Sequence, residues 1–400
     1  MSSSPFFLSA MGMVCALGSG HEEILANLLS GSQQGMVEDT TCMPGKAVTL
    51  GKVCVDLPVI ETKGESSRNN RLLLAAFESI QGEVDRLVQR FGADRVGIVL
   101  GTSTSGTIEA EQAMIAHLSE GEYPSHYQYR IQEMGDPSRF LAGYLGLTGP
   151  AYTVSTACSS SGKVFASGRN LIRTGLCDAV IVGGVDSLCQ LTVHGFSALE
   201  SVSTGICQPF SVNRDGINIG EGAALFTMTT EAAPVALLGV GESSDAWHIS
   251  APHPEGKGAQ KAMECALEDA GLQAEEIHYL NLHGTATPLN DAMESQAVFR
   301  VFGDKLCCSS SKTMTGHTLG AAGAIEAGLC WLLLSSMNDN GRLPPHLWDG
   351  QPDPELADIA LTHSRSSLPT SPWRMMSNSF AFGGSNVSLI LGQTDTEATL

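Results

Sequence analysis

The sequence predicts an α/β fold with substantial parallel sheet, on three observations. Short β-branched runs end in glycine, helical spacing fills the stretches between them, and the pattern recurs in each half of the chain. Val96–Leu100 runs into Gly101, Ala179–Val182 into Gly183 and Gly184, and Val387–Leu391 into Gly392. Continuous apolar runs of about five residues suit strands buried on both faces. Between them, Leu72, Ala75, Ala76, Ile80 and Val84 predict a helix over Arg71–Val88, and Ala262, Met263, Ala266 and Leu267 predict another over Ala259–Ala270. Strands alternating with helices argue for parallel pairing. An apolar strand, a Ser/Thr/Gly-rich turn and a small-residue helix follow one another in Ala151–Arg173, and the series repeats in Leu306–Leu334. A boundary near Glu231–Gly241 divides the chain into two halves, residues 1–240 and 241–400. Leu343–Pro372, with six prolines, reads as a surface excursion.

Four hundred residues, 42% of them hydrophobic, are enough to bury a large core. Forty-two acidic against 22 basic residues leave a formal charge of −20, which repels phosphate backbones and counts against a nucleic-acid partner. No basic residue precedes Lys46, so the apolar start from Pro5 to Leu17 lacks the charged front of a signal peptide. Leu329–Leu334 is far too short for a membrane span. Eleven cysteines without a Cys-x-x-Cys pair complete the expectation of a reduced, cytoplasmic chain.

Cys158 follows a β-branched stretch and precedes Val164, Phe165, Gly168, Leu171 and Ile172 at helical spacing. That puts its thiol at a helix N-terminus, where unpaired N–H groups favour an anion and lower a thiol pKa. The competing reading is a small buried core cysteine. His283 ends a strand before Gly284, Thr285 and Thr287, and His317 precedes the small-residue run from Gly320 to Ala324. Either histidine alone reads as readily as a hydrogen-bonded structural residue. Together with an activated thiol they supply what acyl transfer and carbonyl polarisation require. A metal site is the obvious competitor, but these residues lie in separate stretches without short ligand pairing, so no metal is expected. A cysteine peptidase would carry a signature that is not found here. Spacing alone leaves the Asn378–Asn386 glycine loop open between a tight turn and a functional loop.

The set Thr156-Ala157-Cys158, Asn281-x-His283-Gly284-Thr285-x-Thr287-Pro288, Lys312-x-x-Thr315-Gly316-His317 and Asn378-Ser379-Phe380-x-Phe382-Gly383-Gly384 resembles the β-ketoacyl-acyl-carrier-protein synthases of the thiolase superfamily. The likeness runs in order from about Met11 to Gly392. It implies a thiolase-like five-layered α-β-α-β-α fold of two similar halves. It also implies that Cys158 accepts an acyl chain, that the N–H groups of Cys158 and Phe382 form an oxyanion hole, and that His283 and His317 polarise a malonyl thioester. Lys312 would hold the histidines electrostatically with Asp291 and Glu326 as acidic partners. Thr285 and Thr287 would bind the phosphopantetheine arm, and Phe382 would gate the acyl pocket. No cofactor is implied, because the substrates ride on the phosphopantetheine of an acyl carrier protein. The implied assembly is a homodimer, or a heterodimer with a chain-length-factor homologue. Arg68 best matches the family's docking position for the acidic carrier, with Arg71, Lys163, Arg169 and Arg173 as further candidates. Ala381 departs from a usual glycine, and Gln208 stands where a basic residue is common. Two alternatives stand beside this reading: a non-catalytic chain-length partner, which typically lacks the cysteine, and a coenzyme-A thiolase, which usually pairs one histidine with a second cysteine.

Overall fold

The computed structural model describes residues 5–43 and 45–394. In the first half, β1 (Phe6–Cys15) turns into β2 (Gly18–Ser19) and α1 (His21–Ser30), and a ribbon of β3 (Met36–Asp39) and β4 (Val48–Gly51) follows. Then come α2 (Arg68–Glu78), α3 (Gln81–Phe91), β5 (Val96–Gly101), α4 (Thr107–Glu120) and α5 (Asp136–Leu145). The half ends with β6 (Ala151–Val154), α6 (Ser160–Arg173), β7 (Ala179–Asp186), α7 (Gln190–Ala198) and β8 (Gly222–Thr229). The second half runs β9 (Val235–Ser244), α8 (Lys257–Ala270), β10 (Tyr279–Asn281), α9 (Pro288–Phe302) and β11 (Cys308–Ser309). It closes with α10 (Lys312–Thr315), α11 (Ala322–Leu334), β12 (Arg374–Phe380) and β13 (Ser385–Gln393).

The strand order is β11-β10-β12-β13-β9-β1-β8-β7-β5-β6. Read outward from the β9–β1 junction, the two halves repeat. β6, β5 and β7 pair in parallel, then β8 and β1 join antiparallel; β11, β10 and β12 pair in parallel, then β13 and β9 join antiparallel. The junction itself pairs only Phe6 with Leu237 and Phe7 with Ala236. The chain thus forms two five-stranded sheets continuous only through this seam, with β2 added beside β1 and β3–β4 as a separate ribbon.

Between them lie α6 and α11, each packed on strands of both sheets, while α2 and α5 cover the first sheet outside and α8, with α9 beside it, covers the second. This is the expected five-layered arrangement. The strands show why their sequences are continuously apolar. In β7, Val180 and Val182 join the central core while Ala179 and Ile181 join the outer one; in β13, Leu389 and Leu391 face the centre and Ile390 faces outward. Period-two alternation with both faces covered favours apolar side chains, and a polar one enters only where its hydrogen bonds are met, as at Asp186 in β7. Helix α11 is likewise apolar all round, and twelve of its residues from Ala322 to Leu334 are buried. Among the described residues no helix is long and apolar enough to cross a membrane.

One expectation needs correction and another, the surface excursion, is refined. The helix expected over Arg71–Val88 is two helices, because Ile80 leaves helical geometry at φ −112° and ψ 0° and turns its buried side chain inward. The 343–372 segment is anchored. Cys308 N–H donates to Ala360 O and Thr362 N–H to Cys308 O, so the segment covers the β11 edge, and Leu343 and His346 are buried.

Candidate active site

Cys158 sits between β6 and α6 on a turn that the sequence holds by its own side chains. Thr156 N–H donates to Ser160 Oγ (2.8 Å), Ser160 Oγ donates to Ala157 O (2.6 Å), and Ser159 Oγ donates to Thr156 O (2.9 Å). Ala157 takes φ 52°, a left-handed conformation that non-glycine residues rarely adopt. The serines that follow the nucleophile are therefore the braces of its turn. His317 reaches the same point from the second half, and its Nε2 lies 2.9 Å from Cys158 Sγ. His283, at the end of β10, has its ring centroid 5.3 Å from that of His317.

The His283 turn is held from both sides. Glu294 on α9 accepts the N–H groups of His283 and Gly284, each at 2.7 Å, while Lys312 Nζ donates to His283 O at 2.5 Å. Lys312 also pairs with Glu326 in a fully buried ion pair. Burial, and then the Lys312 charge, push both imidazoles well below the ordinary histidine range, so both are neutral, each with one N–H to donate and one nitrogen lone pair to accept. Burial also pushes the Cys158 thiol up to about 12, against the pull of Lys312 and of the Phe382 and Cys158 N–H groups. The N-terminal N–H groups of α6, expected to lower the thiol, act against this burial.

Cys158, His283 and His317 line a cavity of about 180 Å³ with Thr285, Thr287 and Phe382. The two threonine hydroxyls are 3.0 Å apart, and the Phe382 ring lies 5.5 Å from that of Phe196. Ala381 is extended at φ −110°, so alanine replaces the usual glycine there without strain. The ligand atoms of Cys158, His283 and His317 all lie within 4.8 Å of one another, a spacing that a metal ion could use. The Lys312 ammonium that depresses both imidazoles would repel such a cation.

Other expectations change. Asp291 is not a partner of Lys312. Its carboxylate accepts the N–H groups of Phe210 (2.8 Å) and Ala286 (3.2 Å), so it clamps backbone instead. The docking candidates all have partners within the chain. Arg68 forms a two-pronged ion pair with buried Glu221, and Arg71 donates to the carbonyls of Leu57 and Pro58. Lys163 pairs with Glu242, Arg169 with Asp269, and Arg173 donates to Asn170. Two acids were missed, Glu294 and Asp186. Asp186 is fully buried and gathers Thr102, Ser103 and Thr104 with the Ala321 N–H. Glu294 left one usable signal, an acid in the second turn of the helix that follows a His-Gly loop.

The model of the beta-ketoacyl synthase N-terminal domain matches residues 67–233, and that of the C-terminal domain matches residues 235–347. The chain is 32% identical over 353 residues to the 3-oxoacyl-[acyl-carrier-protein] synthase 2 of Staphylococcus aureus, covering 82% of this chain and 85% of that protein. Among solved structures it matches the ketosynthase (ApeO) in complex with its chain length factor (ApeC) from Xenorhabdus doucetiae, with TM-score 0.93 and 48% identity. It also matches a beta-ketoacyl synthase from Burkholderia phymatum STM815, with TM-score 0.86 and 27% identity. Each alignment covers 98% of this chain and 100% of the other. The two domain models meet where β8 passes into β9, and the cavity draws its thiol from the first and its imidazoles from the second. By both sequence and architecture, then, the chain belongs to the β-ketoacyl-acyl-carrier-protein synthases of the thiolase superfamily.

Proposed function

We propose that the chain is a 3-oxoacyl-[acyl-carrier-protein] synthase, an acyltransferase that lengthens a carrier-bound acyl chain by two carbons through decarboxylative condensation. The observation that carries the reading is the 2.9 Å approach of His317 Nε2 to Cys158 Sγ, with His283 across the same cavity. Residues 1–240 supply the nucleophile and residues 241–400 the two histidines.

Cys158 Sγ attacks the thioester carbonyl of an acyl-carrier protein. The thiol proton passes to neutral His317 and on to the departing phosphopantetheine thiol, leaving an acyl-cysteine. The N–H groups of Cys158 and Phe382, which already act on the sulphur, hold the tetrahedral oxyanion. Such a donor is typically worth about 3–4 kcal/mol. A malonyl-carrier protein then places its thioester oxygen between His283 and His317. Carbon dioxide leaves, the electron pair of the broken C–C bond moves into an enolate, and the enolate carbon attacks the acyl group. The Cys158 thiolate departs and takes one proton from solvent, which restores the thiol. Lys312, beside both rings, favours the enolate charge, and its pair with Glu326 fixes its position. Thr285 and Thr287, which line the cavity, receive the phosphopantetheine arm in this reading, and Phe382 gates the acyl pocket. Decarboxylation itself makes the nucleophile, so this chemistry calls for no cofactor or metal. Carrier-protein substrates suit a cytoplasmic enzyme.

A dimeric assembly fits the sheet edges. The β11 edge is covered, whereas β6 presents Ala151 and Tyr152, the latter 40% exposed, beside the Cys158 turn. The Xenorhabdus ketosynthase is solved with its chain length factor, which favours a chain-length-factor homologue over a second copy as the partner at this edge. Intact-protein mass after incubation with acyl-carrier proteins tests the function. One acyl increment is expected on the wild-type chain and none on Cys158→Ala. No increment with any chain length, alone or with a co-expressed partner, overturns the assignment.

A further inference from the structure

We propose that His346, buried by the proline-rich 343–372 segment, positions the His283 turn for the decarboxylating step. His346 does not line the Cys158 cavity and acts only through other residues, so it is a positioning residue. The proposal rests on the reading of the chain as a condensing synthase and names a further side chain on which that site depends.

The imidazole spans two loops that both hold the His283 turn. Its Nδ1 accepts the Ser310 N–H at 3.2 Å. Ser310 Oγ in turn donates to Gly284 O (2.7 Å) and accepts the Lys312 N–H (3.3 Å), and Lys312 Nζ donates to His283 O. The other ring nitrogen, Nε2, lies 3.0 Å from Pro209 O. The next residue, Phe210, donates its N–H to Asp291, the acid that also accepts the Ala286 N–H. Phe210 holds φ 62°, a left-handed backbone that a bulky residue rarely adopts, and its ring lies 5.9 Å from the imidazole. Both loops close on one glycine. A Cβ on Gly284 would come 2.6 Å from Ser310 Cβ and 3.2 Å from Phe210 Cε2.

The partners of the ring fix its chemistry. The Ser310 N–H can only donate and the Pro209 carbonyl can only accept, so the imidazole is neutral with its proton on Nε2. Burial, which pushes His346 down to about 4, favours the same neutral form. The segment sets the ring in place: His346 N–H donates to Thr362 O, and Thr362 Oγ1 donates to Pro344 O. An apolar side chain of like size would leave the Ser310 N–H and the Pro209 carbonyl buried without a partner, and the two loops would shift to satisfy them. The Cys158 turn has its own braces in Ser159 and Ser160, and the His317 backbone is bonded to Asn218 and Gly220. A shift at His346 therefore falls on His283, which serves the second step and not the first.

The test separates the two steps on one enzyme. Acylation of Cys158 by saturating acyl-carrier protein is timed by intact mass, and carbon dioxide release is timed as the acyl-enzyme meets saturating malonyl-carrier protein. His346→Phe should leave acylation within about twofold of wild type and slow carbon dioxide release at least about tenfold, because a small misplacement of a reacting group has effects of that size. His346→Asn, whose Oδ1 stands where Nδ1 does and again accepts the Ser310 N–H, should recover most of the loss. Ser310→Ala, which cuts the hydroxyl link to Gly284, should show the same split and decides the matter if His346→Phe does not fold. Carbon dioxide release that falls no further than acylation, or that His346→Asn fails to restore, overturns the proposal while the synthase reading stands. A wild type that neither takes an acyl group nor releases carbon dioxide sinks the synthase reading itself, and the role of His346 falls with it.

Discussion

At Cys158 two influences on the sulphur oppose each other. Burial pushes the thiol to about 12, while Lys312 and two backbone N–H groups favour the thiolate and lose. His317, neutral for the same reason of burial, stands 2.9 Å away. The resting pair is thus thiol and imidazole, and the proton crosses only as the sulphur attacks. Acylation of Cys158 should therefore be flat across the ordinary histidine and cysteine values, about 6.5 and 8.5. It should fall at low pH only once the depressed imidazole protonates, since a protonated His317 cannot accept the thiol proton. Rapid-quench acylation rates read by intact mass check this. A bell with limbs near 6.5 and 8.5 would instead indicate a preformed thiolate–imidazolium pair. The thiol and both histidines were legible because each lies in a distinctive turn, Cys158 after β6, His283 after β10 and His317 after α10, but the direction of the thiol shift was not, because enclosure depends on layers distant in sequence. Glu294 and Asp186 escaped for a related reason: they serve by accepting backbone N–H groups, and apart from the place of Glu294 after a His-Gly loop nothing in the sequence sets them apart from solvated acids.

Among the elements, α6 and α11 set the distance on which the chemistry depends. Cys158 lies two residues before α6 and His317 five before α11, so the helices carry thiol and imidazole together. They meet at two glycines. A Cβ on Gly323 would come 2.6 Å from Gly162 N and 2.9 Å from its Cα, both backbone atoms that cannot swing aside. Gly323→Ala should cost about 1–3 kcal/mol of stability, as overpacking does, and Gly323→Val more. Because the strain falls between the two catalytic turns, the acylation rate of Gly323→Ala should drop at least about tenfold at temperatures where the variant stays folded. Chemical denaturation with single-turnover acylation measures both, and a variant as stable and as fast as wild type would remove the crossing from the account. The small-residue run around Gly320–Ala324 was visible in the sequence; that it faced the N-terminus of α6 was not. Strands β10 and β11, of three and two residues, are too short to show periodicity and exist because parallel neighbours hold them.

For the whole molecule, the duplication faintly visible in the sequence becomes two sheets of matching order, and neither can bury its inner face alone. The central core draws Leu8, Met11, Val164 and Phe165 from the first half and Ile325, Leu329, Leu389 and Leu391 from the second. The contact between halves is far larger than the two residue pairs that join β1 to β9, so the halves should unfold as one unit. The tryptophans provide a test by their distribution. Trp247, Trp331, Trp348 and Trp373 all lie in the second half, and Trp331 Nε1 donates across to Leu8 O. Tryptophan fluorescence therefore reports on the second half and its seam. Cys15 and Cys177, both 1% exposed, report on the first half through pulsed thiol labelling read by peptide mass. In a denaturant titration, fluorescence and the labelling of both cysteines should share one midpoint and one slope. If Cys15 and Cys177 become reactive at clearly lower denaturant than the fluorescence change, the first half opens alone. Cys158 and His317 would then be joined by docking of two separable units, and a chain cut between β8 and β9 should regain acylation when the pieces are mixed. A single transition instead ties the catalytic pair to the folding of the entire chain.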